Sequence, residues 1–258
     1  MDFAAIDVGP TEVMARPGMP QLAEVTGRAV SRRGRRSVNA DSYAAATDPT
    51  TGRTAFAVAD GVGDHLAAAR AARLVAATAA RVAAVDGARA GILAAQRELL
   101  RDLPESKADC VVVVAVLPAA GHPDGPCDIA WIGDCRAYRW NGRTLHQITT
   151  DHTVAEYFRA RGRQPTARMG HLVTTSARTV KPEEIGCAAT GSSAGRLLLC
   201  SDGAHKLLDI AAIKAILAAD LPPGPTAEAL TDTALRLGST DNTTAFVIDA
   251  RRLSPPRG

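Results

Sequence analysis

Two segments constrain this chain more than anything else in it: "TAFAVADG" (Thr54–Gly61) and "RLLLCSDG" (Arg196–Gly203). Each is an apolar run of strand length that stops at an Asp-Gly pair. Short runs of Val, Leu and Ala bounded by Gly and Asp read as strands. A third run, "IAWIGD", ends at Asp134, and two strand-like runs open on acids, Asp41 in "DSYAAAT" and Asp241 in "DNTTAFVID". In antiparallel neighbours the end of one strand lies beside the start of the next. The pattern predicts that Asp41, Asp60, Asp134, Asp202 and Asp241 meet at one rim of the sheets.

Further strands are expected at 23–30, 110–117 and 171–175, and helices at 65–85, 87–102, 153–161, 207–219 and 226–237. The order is strands, two long helices, strands, short helices, strands. It lacks the strict alternation of a doubly wound fold and predicts an α+β class with antiparallel sheets and helices packed outside. One domain is expected over 21–250, with a flexible leader at 1–20 and a flexible tail at 251–258.

Crowded carboxylates repel, so they either take up protons or gather a cation. An all-oxygen set without His or Cys at ligand spacing suits Mg²⁺ or Mn²⁺ rather than Zn²⁺. Against this, Asp-Gly is a common turn dipeptide and Asp a common helix cap, so any one of these acids has a purely structural reading. Net charge is +3 and aromatics are 3% of the chain, which argues against nucleic-acid binding. The five cysteines include no C-x-x-C pair and read as reduced thiols; with no signal peptide and no membrane span, a cytoplasmic location is expected. "GSSAG" (191–195) fits G-x-S-x-G, but a strand follows it where a nucleophile elbow needs a helix.

Read in order, the segments resemble the metal-dependent Ser/Thr phosphatases of the PPM (protein phosphatase 2C, PP2C) family, bacterial type. "GRRSVNADSY", "FAVADGVGDH", "IAWIGDCRAYRW", "HQITTDHTV", "LLLCSDGAHKLLD" and "GSTDNTTAFVI" are similar to its motifs, in family order, over residues 24–249. The resemblance implies a four-layer α-β-β-α sandwich around two antiparallel sheets. It implies two ions, Mn²⁺ or Mg²⁺. Asp60 would bridge both, the Gly61 carbonyl would hold the second, and Asp202 and Asp241 would hold the first. Asp134 would serve a weaker third ion. Arg36 would clamp the substrate phosphate, Asp41 and Asn242 would support the ligands, and His65 would protonate the leaving group. The implied reaction is attack of a metal-activated water on phosphoserine or phosphothreonine, without a covalent phosphoenzyme. Phosphorylated substrates of Ser/Thr kinases are the implied partners. A basic flap at 159–185 suits acidic phosphopeptides.

Three positions depart from the family pattern. Ala40 stands where a Glu is usual, which weakens the second metal site. Lys206 stands where an Asp is usual; its ammonium would oppose a third cation or replace its charge, and an outward, solvated lysine is the simpler expectation. Asp64 replaces a Gly, a small change at a helix start where acids are favoured. These departures also admit a pseudophosphatase, a phosphoprotein-binding or regulatory module on the same fold.

Overall fold

Alternation along the strands sets the layers. In β3 (Thr54–Gly61), Ala55, Ala57 and Ala59 face one way and Phe56 and Val58 the other. In β4 (Cys110–Leu117), Val112, Val114 and Val116 share the first face and Val111, Val113 and Ala115 the second. Both strands are covered on both faces, which is why they read as unbroken apolar runs. The structure, a computed structural model, describes residues 23–119, 122 and 125–252.

The strands form two five-stranded antiparallel sheets. One has the order β1 (Ala23–Arg32), β10 (Thr243–Arg252), β9 (Gly195–Cys200), β6 (Arg136–Trp140), β7 (Leu145–Gln147). The other runs β2 (Asp41–Thr47), β3, β4, β5 (Asp128–Ile132), β8 (Gly186–Ala189). Between them lies a core of Phe56, Val58, Val113, Trp131, Leu199, Phe246 and Ile248. Phe56 and Phe246 meet edge to face at 5.2 Å across this gap, worth about 0.5–1.5 kcal/mol beyond their burial.

Helices α1 (Leu66–Asp86) and α2 (Ala88–Asp102) cover the second sheet. The buried face of α1 is mostly alanine, and it meets the alanine face of β3. Small residues on both sides let helix and sheet approach closely. Helices α5 (Ile210–Leu217) and α6 (Pro223–Arg236) cover the first sheet through Ile213, Leu217, Leu230 and Ala234. Beneath them Arg196 makes a buried pair with Asp249 at 2.6 Å and also donates to the Leu217 carbonyl, tying β9 to the outer layer. The result is the expected α-β-β-α sandwich. Two short helices, α3 (Val154–Arg159) and α4 (Asp202–His205), sit near the rim.

Several boundaries differ from expectation. The leader at 1–20 lies outside the described residues, as do 253–258 of the tail; residues 251 and 252 belong to β10. Residues 171–175 form no sheet strand. The extended piece instead makes two rungs with the loop at 152–154, Val154 N to Leu172 O and Thr174 N to His152 O. Its alternating sequence fits any extended segment with one covered side, and here the 152–154 loop supplies the pairing partner. Strands β7 and β8 are short edge strands with little apolar signal. Helix α6 starts at Pro223, where the missing N–H of proline costs nothing.

Candidate active site

The acids come together as the strand ends do. Asp41 and Asp60 are directly opposed across β2 and β3. Asp202 follows β9 and Asp241 precedes β10, and these two strands are neighbours. Asp134 sits in the turn between β5 and β6, after Gly133. One cavity at this rim is lined by Asp60, Gly61, Asp134, Asp202 and Asp241, together with Arg36, Val62, His171, Val173 and Asn242.

Gly61 is there for close approach. A Cβ on it would lie 2.7 Å from the Ala68 carbonyl oxygen and 2.9 Å from that of Ala40. Gly34 has φ +63°, and a side chain there would run into the Asp241 carbonyl oxygen. The basic loop at 33–36 therefore lies flat against the residues that open β10. Arg35 N donates to Thr240 O at 3.0 Å.

The electrostatics are those of a crowded acid site. Burial, then the charges of Asp41, Asp202, Asp134 and Asp241, pushes the Asp60 carboxyl well above the usual carboxylate range. Burial also carries Asp41 up to about 7, although Ser201 Oγ and Thr244 Oγ1 each donate to its Oδ2 at 2.7 Å. Asp41 Oδ1 is buried with no partner among the described residues. Asp134 rises to about 6, again mainly through burial. Asp202 goes the other way: burial opposes it, but the Lys206 ammonium outweighs burial and holds its carboxyl low.

The chain's own cations answer much of this charge. Lys206 Nζ lies 2.5 Å from Asp202 Oδ2 and 3.1 Å from Asp134 Oδ2. This corrects the outward lysine expected from sequence. Arg36 pairs with Asp241 Oδ2 at 2.6 Å, so the expected phosphate clamp rests on a carboxylate. Among the described residues no three His, Cys, Asp or Glu side chains form a ready-spaced metal cage. The donor chemistry still fits hard divalent ions: oxygen ligands from several carboxylates, a free buried carboxylate oxygen at Asp41, and charge beyond what one Lys and one Arg neutralise.

Other expected residues take supporting places. Asn242 Oδ1 accepts from Ala40 N at 2.8 Å while its Nδ2 donates to Arg33 O and Val38 O, stapling the 33–40 loop to the rim. Ala40 is fully buried; its carbonyl accepts from Gly61 N. His65 caps α1, its Nδ1 accepting from Ala68 N at 3.1 Å, and it is not among the residues lining the cavity. The imidazole that does line it belongs to His171, which sequence reasoning missed, since nothing near it in the chain marks it. Asp64 directly precedes the His65 cap of α1, and its side chain has a further role. Its carboxylate accepts from Ser37 N at 2.9 Å and Val38 N at 3.0 Å, pinning the Arg36 loop. In the flap, Arg178 turns into the body of the protein, donating to the Leu103 and Ala108 carbonyls. "GSSAG" is a loop that leads into β9, as expected.

Fold and site together define a class: an antiparallel β-sandwich flanked by helices, with an acid cluster at one rim. No family model matches the chain and no curated protein does. Solved structures do. The catalytic domain of the serine/threonine protein phosphatase PstP, in complex with two manganese ions, is 27% identical with a TM-score of 0.68, over 88% of this chain and 99% of that one. Stp1, a serine/threonine phosphatase from Staphylococcus aureus, is 20% identical with a TM-score of 0.73, over 95% of this chain and all of that one. PppA, described as a key regulatory component of T6SS in Pseudomonas aeruginosa, is 24% identical with a TM-score of 0.72, over 90% of this chain. In its fold and in the order of its motifs, the chain is similar to these bacterial PPM/PP2C-type phosphatases.

Proposed function

We propose that this chain is a metal-dependent phosphatase that hydrolyses phosphoserine and phosphothreonine in proteins. The observation that carries the reading is the convergence of Asp60, Asp202, Asp241 and Arg36 on one cavity of a PP2C-type fold. Asp60, the Gly61 carbonyl, Asp202 and Asp241 would hold two ions, Mn²⁺ or Mg²⁺. Bound there, such ions supply Lewis acidity and a water of lowered pKa. The manganese-bound PstP domain supports this choice of metal.

The chain's own groups do the rest. Arg36 has five donors in a planar fork, and one of its nitrogens reaches Asp241; the others suit phosphoryl oxygens. Burial would lower the guanidinium's pKa, but Asp241 outweighs it, so Arg36 stays charged. Val62 and Val173 line the cavity with apolar surface that limits water around the phosphoryl group. His171 lines the cavity and presents a hydrogen-bond donor to the departing oxygen. Its Nδ1 lies 3.3 Å from the Lys206 ammonium, which as donor leaves the proton on Nε2. Flap arginines such as Arg159, Arg161 and Arg168 favour substrates with acidic flanks. Free thiols at all five cysteines suit a cytoplasmic setting; among the described residues no helix is long and apolar enough to cross a membrane.

A second reading, the pseudophosphatase, is favoured by one observation: Lys206 and Arg36 already sit on three of the four acids that line the cavity. Assays on p-nitrophenyl phosphate and a phosphothreonine peptide, with and without Mn²⁺, separate the two. Turnover that requires Mn²⁺ is expected. Peptide binding in Mn²⁺ with no turnover overturns catalysis in favour of a binding module.

A further inference from the structure

Lys206 follows the single-turn helix α4, four residues after Asp202. That spacing folds its side chain back beside the acid. Its Nζ then meets acceptors from three separate parts of the chain. Asp202 Oδ2, at the β9–α4 turn, is 2.5 Å away. Asp134 Oδ2, at the β5–β6 turn, is 3.1 Å away. His171 Nδ1, in the flap, is 3.3 Å away. An ammonium has three N–H donors and no acceptor, so these three partners use its whole bonding capacity. Asp134 and Asp202 are 6% and 16% exposed at their side chains and Lys206 23%, so water does little to screen the group. One oxygen from each acid points at a single cationic atom, which is how two carboxylates bridge a metal ion.

We infer that Lys206 is a fixed cation standing in for a metal ion between Asp134 and Asp202, and that it lowers by one the number of divalent ions the acid cluster takes up. The inference rests on the metal-centre reading above and deepens it. Mg²⁺ binds carboxylate oxygen at about 2.0–2.1 Å, so an ion bridging these two oxygens would need the space Nζ fills. The two cations would also repel at contact distance in a site shielded from solvent. Being covalently attached, the ammonium is present at any metal concentration. It keeps Asp134 and Asp202 together when the remaining sites are empty, and it ties the flap to the acids through His171.

The test is a count of bound Mn²⁺, by native mass spectrometry and by titration calorimetry, on the full chain and on Lys206→Met and Lys206→Gln. Circular dichroism checks the fold of each. Both variants are expected to bind one Mn²⁺ more than the wild type. Their metal-free forms are expected to melt at least about 2–4 °C lower, as two carboxylates lose their shared partner. Equal Mn²⁺ counts in the wild type and both variants overturn the inference, as does an unchanged metal-free melting temperature. A wild type that binds no Mn²⁺ defeats the metal-centre reading itself; the role of Lys206 is then still decided by whether the variants gain an ion.

Discussion

The Arg36 guanidinium lies 2.6 Å from Asp241 Oδ2, and the two residues are held in place by different devices. Asp241 opens the turn into β10, its own Oδ1 accepting from Asn242 N. Arg36 rides on a loop pinned by Asp64, Asn242 and the backbone of Thr240. The pair is half-exposed, so its worth lies in aiming the fork rather than in stability. Arg36→Ala is expected to lower kcat/KM for p-nitrophenyl phosphate about 10- to 100-fold, with the melting temperature nearly unchanged. Arg36→Lys should restore little, since a point charge lacks the fork. Wild-type kinetics in Arg36→Ala would remove the residue from phosphate binding.

Asp202 is paired with Lys206 and lines the same cavity as Asp60. Asp202→Asn is expected to cut Mn²⁺-dependent turnover at least about 100-fold and to weaken Mn²⁺ binding, because a neutral amide neither balances nor ligates the ions as a carboxylate does. The fold should survive with some loss of stability, since Lys206 keeps Asp134 as a carboxylate partner when Asp202 is neutralised. Calorimetric Mn²⁺ titration beside the turnover assay checks both statements; intact binding and turnover together would exclude Asp202 from the metal set.

Asp64 is exposed, yet it supplies both acceptors for the amides of Ser37 and Val38. Those backbone bonds come first among the causes that hold its carboxyl below the usual range. Asp64→Ala is expected to speed hydrogen exchange at Ser37 and Val38 and to raise KM more than it lowers kcat, because the Arg36 loop loosens. Acidification should do the same to the wild type, since protonation removes the acceptor. Unchanged exchange at those two amides would show that the loop is held by other contacts.

His205 gives a pH signature of opposite sign to the acids. Burial carries its pKa down to about 4, and its Nε2 donates to the Asp134 carbonyl while Nδ1 has no partner among the described residues. The unfolded chain binds this proton below about 6.5. Its contribution to stability is therefore present above that pH and is lost as pH falls toward 4. Asp41 and Asp134, with raised pKa values, lose stability as pH rises instead, from about 4 toward about 7 and about 6 respectively. The difference between wild type and His205→Gln isolates the histidine: over the window from about 6.5 to 4 it should shrink by about 3 kcal/mol as pH falls. Urea denaturation at a series of pH values measures it, and a pH-independent difference would refute the burial account.

Local patterns along the chain were enough to place the strands and their acid ends. Asp60, Asp134, Asp202 and Asp241 were legible because each lies in a strand-like run or within two residues of one, and strand pairing then leaves their ends at one rim. The two-sided burial of β3 and β4 was likewise written in their unbroken Val and Ala content. The destinations of the long polar side chains were set by the folded chain and not by local pattern. Lys206 reads as an ordinary surface lysine until the β5–β6 turn brings Asp134 beside it. His171 reads as the start of a strand until the 152–154 segment pairs with the stretch beside it. Asp64 reads as part of a helix start until the 33–38 loop comes within reach of its oxygens. The reason is range: strand and helix patterns are set by neighbours a few residues apart, whereas a flexible charged side chain settles on whichever partner the folded backbone delivers from elsewhere in the chain.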